Sequence, residues 1–180
     1  MSLAEYARVP IAFEISSVFD VTAVNGGVRQ FLLSERAIDT PTIKDYDIIE
    51  NPALWRERFD VSPWGLFSAF VAGVRVGGAA IAFRSQGVEM LEGRDDLAAL
   101  WDIRVAPKMR GKGVGSALLR AAEKWASAQG ATFMKVETQN INVPACRFYD
   151  RHGFVLGAAN EGAYPDFPEE TQLLWYKDLR

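Results

Sequence analysis

The stretch from Val105 to Ala126 reads VAPKMRGKGVGSALLRAAEKWA, and its first half decides how the rest of the chain is read. Gly111, Gly113 and Gly115 alternate with Lys112 and Val114, after Pro107 and Arg110 and before an unbroken helical pattern. A surface turn needs one glycine or two; three in five residues cost backbone entropy and give up side-chain packing. Such a run makes sense where another group must approach the backbone closely. The first N–H groups of a helix have no partner inside it, and the helix dipole adds partial positive charge there. Glycines clear away the Cβ atoms that would crowd an anion, and Arg110 and Lys112 add formal charge. From Ile103 to Ala122 the chain carries Arg104, Lys108, Arg110, Lys112 and Arg120 and no acid at all. A phosphate or pyrophosphate is the expected occupant of residues 110–116. The spacing is neither a P-loop, because Lys112 is followed by Gly113, nor a dinucleotide fingerprint, because the sixth position from Gly111 is Ser116.

Working outward, LWDIRVA before the turn is a β-rich run that stops at Pro107, and a helix is expected over about 113–129, with Gly130 as its stop. Leu118, Ala121, Ala122 and Trp125 fall at i, i+3, i+4 and i+7, one apolar face. TFMKVETQ reads as the next strand. NVPACRFYDRHG reads as a second helix, with Asn142 as N-cap, Pro144 in the first turn and Gly153 at the end. FVLGAA and TQLLWYKDL supply two closing strands. Upstream, WGLFSAFVAG and VRVGGAAIAFRS form a hairpin around Ala72-Gly73. Residues 11–19 suit a first strand, and GGVRQFLLSERAI a short helix with Val28, Phe31, Leu32 and Leu33 on one side. Residues 39–60 read as loop with a helical turn near 52–59. The order, strands first and then β-α-β-α-β-β, describes one α/β domain over residues 1–180 with a mixed sheet.

Composition sets bounds. The chain has 180 residues, 49% hydrophobic and 24% charged, ordinary for a globular protein with a real core. A net charge of −3 excludes a surface built for nucleic acid. One cysteine, Cys146, and one histidine, His152, leave no disulfide framework and no expected metal site. No apolar run reaches membrane-spanning length, and the first residues show no signal pattern, so no membrane partner is expected and a cytoplasmic location is the default.

Arg110-Gly-Lys-Gly113-Val-Gly115 resembles the [R/Q]-x-x-G-x-[G/A] signature of the GNAT superfamily, the acyl-coenzyme A-dependent N-acetyltransferases. ETQNINVPACRFYDRHGF is similar to its second motif, with Asn142, Ala145, Phe148, Tyr149, Gly153 and Phe154 in place. Within the superfamily the D-I-x-V run, the E-T-Q-N-x-N block and the late W-Y strand resemble the streptothricin acetyltransferases. The resemblance implies a mostly antiparallel sheet, flanked by helices and opened into a V between the fourth and fifth strands. It implies acetyl-CoA as cofactor. The pyrophosphate would lie on Arg110, Gly111, Lys112, Gly113, Val114, Gly115 and Ser116, and the pantetheine arm would pair with backbone around Ile103, Arg104 and Val105. Asn142 would hydrogen-bond that arm beside Ala145 and Phe148. Relatives pair, so a homodimer is the assembly the resemblance allows.

Acetyl transfer to an amine needs a neutral nucleophile, a stabilised carbonyl oxygen and a protonated leaving thiol. Tyr149 stands where the family keeps its general acid, and a phenol near its ordinary value of about 10 suits a departing thiol. Two carboxylates compete for the base: Glu137, twelve residues before Tyr149, and Asp102 on the fourth strand. Either could bind the substrate ammonium instead, with water carrying the proton. Cys146 and His152 read as structural. The acceptor side is expected in the loops that carry Tyr46, Asp47, Trp64, Trp101, Tyr164 and Asp166, where acids attract an ammonium and aromatic faces can hold it. A small cationic amine is thus the expected acceptor. Two alternatives are a protein N-terminal or lysine acetyltransferase and a catalytically silent acetyl-CoA-binding module.

Overall fold

A computed structural model describes residues 2–24 and 30–180. The chain divides into two compact units, neither of them a contiguous segment. The first comprises Met1–Ala12, Asp45–Lys135 and Asp178–Arg180, the second Phe13–Lys44 and Val136–Lys177.

The first unit holds α1 (Leu3–Tyr6) and, after the segment Phe13–Lys44 of the other unit, 3-10 turns at Tyr46–Ile48 and Pro52–Leu54 that lead into α2 (Trp55–Arg58). Then come β3 (Gly65–Val71), β4 (Val74–Ala82), β5 (Leu97–Val105) and α3 (Val114–Ala128). Ala72 and Gly73 both have positive φ, 48° and 76°, the backbone a two-residue hairpin between β3 and β4 needs. β4 lies antiparallel between β3 and β5. Ala79, Ala80, Ile81 and Ala82 are wholly buried, as expected of a strand covered on both faces. Two successive glycines serve those faces. A Cβ on Gly77 would lie 3.0 Å from Leu118 of α3, and one on Gly78 would lie 2.3 Å from the Tyr6 ring. α3 therefore packs on one side of β4 and α1 on the other.

The pairing of β4 with β5 slips between Ala80↔Asp102 and Ile81↔Leu100, which makes Trp101 the extra residue of a bulge. The bulge lets Trp101 and Asp102 address the same layer. There Tyr6, Trp55, Trp64, Phe59 and Trp101 pack ring to ring, with centroids 5.0–5.9 Å apart. α3 buries Leu118, Leu119, Ala122 and Ala126, and it stops where Gly130 turns to φ 96°. Trp125, expected on the apolar face, is half-buried against Gly65.

The second unit contains β1 (Phe13–Val24) and β2 (Gln30–Lys44), paired antiparallel from Val24↔Gln30 to Phe13↔Lys44. The helix expected over GGVRQFLLSERAI is thus a strand in its described part, and β2 takes six further residues from the expected loop. Exposure alternates along it: Phe31 and Leu33 are half-buried while Leu32 is exposed. The ladder to β1 outweighs the local preference. Gly26, Gly27 and Val28 lie outside the described residues.

This unit also holds most of β6 (Phe133–Gln139), with α4 (Val143–Arg151), β7 (Val155–Asn160) and β8 (Gln172–Asp178). β8 lies between β6 and β7, antiparallel to β7. Asn142 caps α4, its side-chain oxygen accepting from the Ala145 amide at 3.2 Å, and Pro144 sits in the first turn. Asn140 staples three segments. Its amide donates to the Thr171 carbonyl at 3.0 Å and its Oδ1 accepts from Thr171 N at 2.8 Å. Its carbonyl accepts from Phe19 N at 2.9 Å, and its Nδ2 donates to Phe19 O at 3.0 Å.

Candidate active site

In the first unit β5 ends at Val105, a 3-10 turn spans Pro107–Met109, and α3 begins at Val114. Gly111 and Gly113 take φ of 73° and 82°, the left-handed region that favours glycine. Gly113 is the N-cap and offers no side chain to its helix. The first bond inside α3 runs from Ala117 N to Gly113 O at 3.0 Å, so the Val114 and Gly115 amides point outward without an intrahelical acceptor. A Cβ built on Gly111 or Gly113 would meet no atom within 4 Å. The turn is therefore an open cradle of amide donors at the positive end of a four-turn helix, and the groups present fit a diphosphate.

Lys108, Lys112 and Arg120 are exposed around the cradle. Arg110 works differently. Its Nε donates to Val105 O at 3.0 Å and its Nη2 to Ala12 O at 2.8 Å, so the guanidinium clasps the turn to the end of β5 and the N-terminal segment. Partial burial pulls its pKa below the ordinary arginine value.

Farther back on β5, Ile103 and Val105 are half-buried, whereas the Arg104 side chain is turned inward. That leaves Arg104 only its backbone for a pantetheine arm. Arg104 pairs with Asp102 at 2.6 Å and with Asp47 at 3.0 Å, and the Tyr6 hydroxyl donates to Asp102. Burial, reinforced by the Asp102 charge, raises the Tyr6 phenol well above its ordinary value, so Tyr6 stays a donor. Hydrogen bonds to Asp102 likewise hold Arg104 firmly protonated against the opposing effect of burial. The Asp102 oxygens are thus occupied by one arginine and one tyrosine.

The acceptor residues expected from the sequence divide. Trp64 is buried, 6% exposed, with its indole N–H on Ser85 Oγ at 3.2 Å. It is a core residue and lines no groove. Trp101 is half-buried and donates to Glu50 at 2.8 Å. Asp45 accepts from the Asp47 amide at 3.0 Å, and Glu170 is buried on Lys44. Tyr46 is half-buried, and Asp166 is exposed.

In the second unit Glu137 gathers three neutral donors: Tyr164 Oη at 2.6 Å, Gln172 Nε2 at 2.8 Å and Gln139 Nε2 at 3.5 Å. Gln139 also donates to the Tyr164 oxygen at 2.8 Å. The structure therefore brings together Glu137 and Tyr164, for which different roles were expected. Tyr149 is 4% exposed on the inner face of α4, beside Val143 and Cys146. Its ring meets Phe148 and Phe154 edge-on at 5.3 and 5.4 Å. Ala145 is half-buried on the same helix. Among the described residues no group of three or more His, Cys, Asp or Glu gathers as a metal site would require. Nor is any helix there long and apolar enough to cross a membrane. Sequence reading missed Tyr6 and Gln172. Leu3 and Tyr6 at i, i+3 were the only signal for the first, and Gln172 carried none.

Known proteins resemble this chain. The profile of the Acetyltransferase (GNAT) family matches residues 31–154. A streptothricin acetyltransferase of Escherichia coli is 33% identical over 171 residues, covering 91% of this chain and 84% of that protein. Streptothricin acetyltransferase A of Bacillus subtilis is 43% identical over 81 residues, which is 44% of this chain and 47% of that protein. In structure the chain is similar to nourseothricin acetyltransferase, with a TM-score of 0.76 and 27% identity over 98% of this chain and 92% of that one. It shares its fold with a Bacillus anthracis protein solved with acetyl coenzyme A, with a TM-score of 0.79 and 22% identity over 98% and 94% of the two chains.

Proposed function

The chain belongs to the GNAT family and is an acetyl-CoA-dependent N-acetyltransferase, and from that premise we propose that it acetylates a primary amine of a small cationic acceptor of the streptothricin type. The observation that carries the cofactor half is the open cradle at Gly111 and Gly113, where two left-handed glycines and the first α3 amides face free space. Val114, Gly115 and Ser116 supply the helix end, and Lys108 and Lys112 the charge. Arg110 keeps the turn attached to β5. Ile103 and Val105 offer backbone for the pantetheine arm. Asn142 caps α4, and Ala145 and Phe148 present its half-buried side.

Acetyl-CoA, when bound, supplies an acetyl group already activated as a thioester. The amine must lose a proton and the departing sulfur must gain one as the new C–N bond forms and the C–S bond breaks. Glu137 suits the removal of the amine proton, because its donors are all neutral and, among the described residues, no cation pairs with it to compete with an incoming ammonium. Asp102, already shared between Arg104 and Tyr6, suits it less. Tyr149 is the proton donor in this reading. Asp47 and Trp101 supply the acid and the aromatic face that attract and hold the cationic acceptor.

The test is thiol release from acetyl-CoA across streptothricin, polyamines, aminoglycosides and peptides, run with the wild-type protein and Tyr149→Phe. Turnover with small cationic amines is expected, together with a loss of ~10²-fold in kcat for Tyr149→Phe. Turnover with peptides alone would move the assignment to a protein acetyltransferase. No thiol release with any acceptor would fit a catalytically silent cofactor-binding module.

A further inference from the structure

Arg104 is the most completely used cation among the described residues. Its side chain is 1% exposed, and each of its five N–H groups has an acceptor. Nε donates to Asp102 Oδ1 at 2.9 Å. Nη2 donates to Asp102 Oδ2 at 2.6 Å and to Asp47 Oδ1 at 3.0 Å. Nη1 donates to Asp47 Oδ2 at 3.1 Å and to the Val9 carbonyl at 3.0 Å. The Tyr6 ring faces the guanidinium at 5.0 Å. Three distant stretches of chain, residues 6–9, the turn at 45–50 and β5, thus meet on one planar fork.

The charges do not balance. One guanidinium faces two carboxylates, and no second cation pairs with either among the described residues. Side-chain exposure rises from 1% at Arg104 through 7% at Asp102 to 18% at Asp47, so the uncompensated charge is nearest solvent at Asp47. Asp47 is held from its backbone as well, through the bond from its amide to Asp45. A carboxylate so fixed cannot swing away to relieve its charge, and it loses no further conformational entropy when a cation arrives.

We propose that Arg104 is a positioning residue for the acceptor: by gripping Asp102 and Asp47 on one fork it fixes the Asp47 carboxylate for the acceptor's ammonium. The proposal rests on the cationic-acceptor reading above. Its mechanism demands arginine. A lysine keeps the charge but offers three donors from a single point and cannot span two carboxylates and a carbonyl.

The test is Arg104→Lys, alone and with Asp47→Asn, assayed with the cationic amine that the wild-type enzyme turns over best. The expected result for Arg104→Lys is a KM for that amine raised by ~10-fold or more. Its kcat should hold within about threefold and its acetyl-CoA Kd within about twofold, the pattern of lost binding that leaves the chemical step intact. In the Asp47→Asn background the same substitution should add nothing further to KM, because Arg104 acts through Asp47. Should Arg104→Lys fail to fold, Tyr6→Phe removes only the phenol bond to Asp102, and a smaller rise in the same KM is expected. The assignment is overturned if the two substitutions multiply in KM, or if kcat, KM and acetyl-CoA Kd all worsen together with the melting temperature. No turnover of any cationic amine by the wild-type enzyme would instead remove the acceptor reading, and this proposal with it.

Discussion

Cys146 shows how burial decides the behaviour of a single side chain. It is 1% exposed, its sulfur lies 3.4 Å from Thr138 Oγ1, and Thr138 in turn receives the Trp175 indole N–H at 2.8 Å. Burial pushes the thiol up from its ordinary 9.0 to about 11. A group whose folded pKa is raised contributes stability that is complete below the unfolded value and lost as pH climbs through the folded one. For an acid such as a thiol the unfolded chain ionises first, so the loss falls between those two values. Wild-type stability should therefore fall between pH 9 and 11 by more than that of Cys146→Ala, measured by denaturant unfolding at each pH. An identical decline in both proteins would contradict this. Native protein should also resist iodoacetamide near neutral pH and react once unfolded. The sequence read Cys146 correctly as a small hydrophobe, because a lone cysteine on a helix face has few other uses. It misjudged Trp64, because a tryptophan between Pro63 and Gly65 carries no mark of which way it points. Asp47 and Asp102 were expected from the sequence as acids with a part in the reaction. Their shared arginine was not, since no local spacing joins residues 47 and 104.

At the level of elements, what was legible was local. α3 announced itself by its glycine start, its apolar face and Gly130, the hairpin by Ala72-Gly73, and α4 by Asn142 and Pro144. β2 was not legible, because its partner β1 supplies the ladder that overrides a helix-like cluster at Phe31–Leu33. α1, with four residues, is too short to show a period; it is fixed by Tyr6 filling the space that Gly78 leaves. The cradle gives a paired test of what its glycines do. Gly113 and Gly73 have similar φ, 82° and 76°, and a Cβ at either would meet no atom within 4 Å. Alanine at either therefore costs about 1–2 kcal/mol of left-handed strain without a clash. Only Gly113→Ala puts a methyl where a diphosphate would sit. Calorimetry should show acetyl-CoA affinity falling for Gly113→Ala and unchanged for Gly73→Ala, at comparable losses in melting temperature. Equal affinities would mean that the glycines serve the turn alone.

Taken whole, the molecule sets a local field against its own net charge. The sum is −3, yet residues 103–122 contain five cations and no acid. The structure shows how unequal those five are. Arg104 is held by Asp47 and Asp102, and Arg110 by backbone carbonyls. Lys108, Lys112 and Arg120 remain exposed, with no ion pair among the described residues, and meet an anion through solvent. Exposed charges are screened by salt, whereas outward-facing amides at short range are screened far less. From about 0.01 M to about 1 M salt the Debye length shrinks from roughly 30 to 3 Å. Over that range the acetyl-CoA Kd should rise by ~10-fold. Lys112→Ala should bind more weakly at low salt and respond less steeply, because it has lost one of the screened partners. Gly113→Ala should be weaker at every salt with the wild-type slope, since the strain and the crowding methyl it introduces are uncharged. If affinity proves flat in salt, or if the glycine variant changes the slope as the lysine variant does, exposed charge and backbone cradle are not the two separable parts of diphosphate binding.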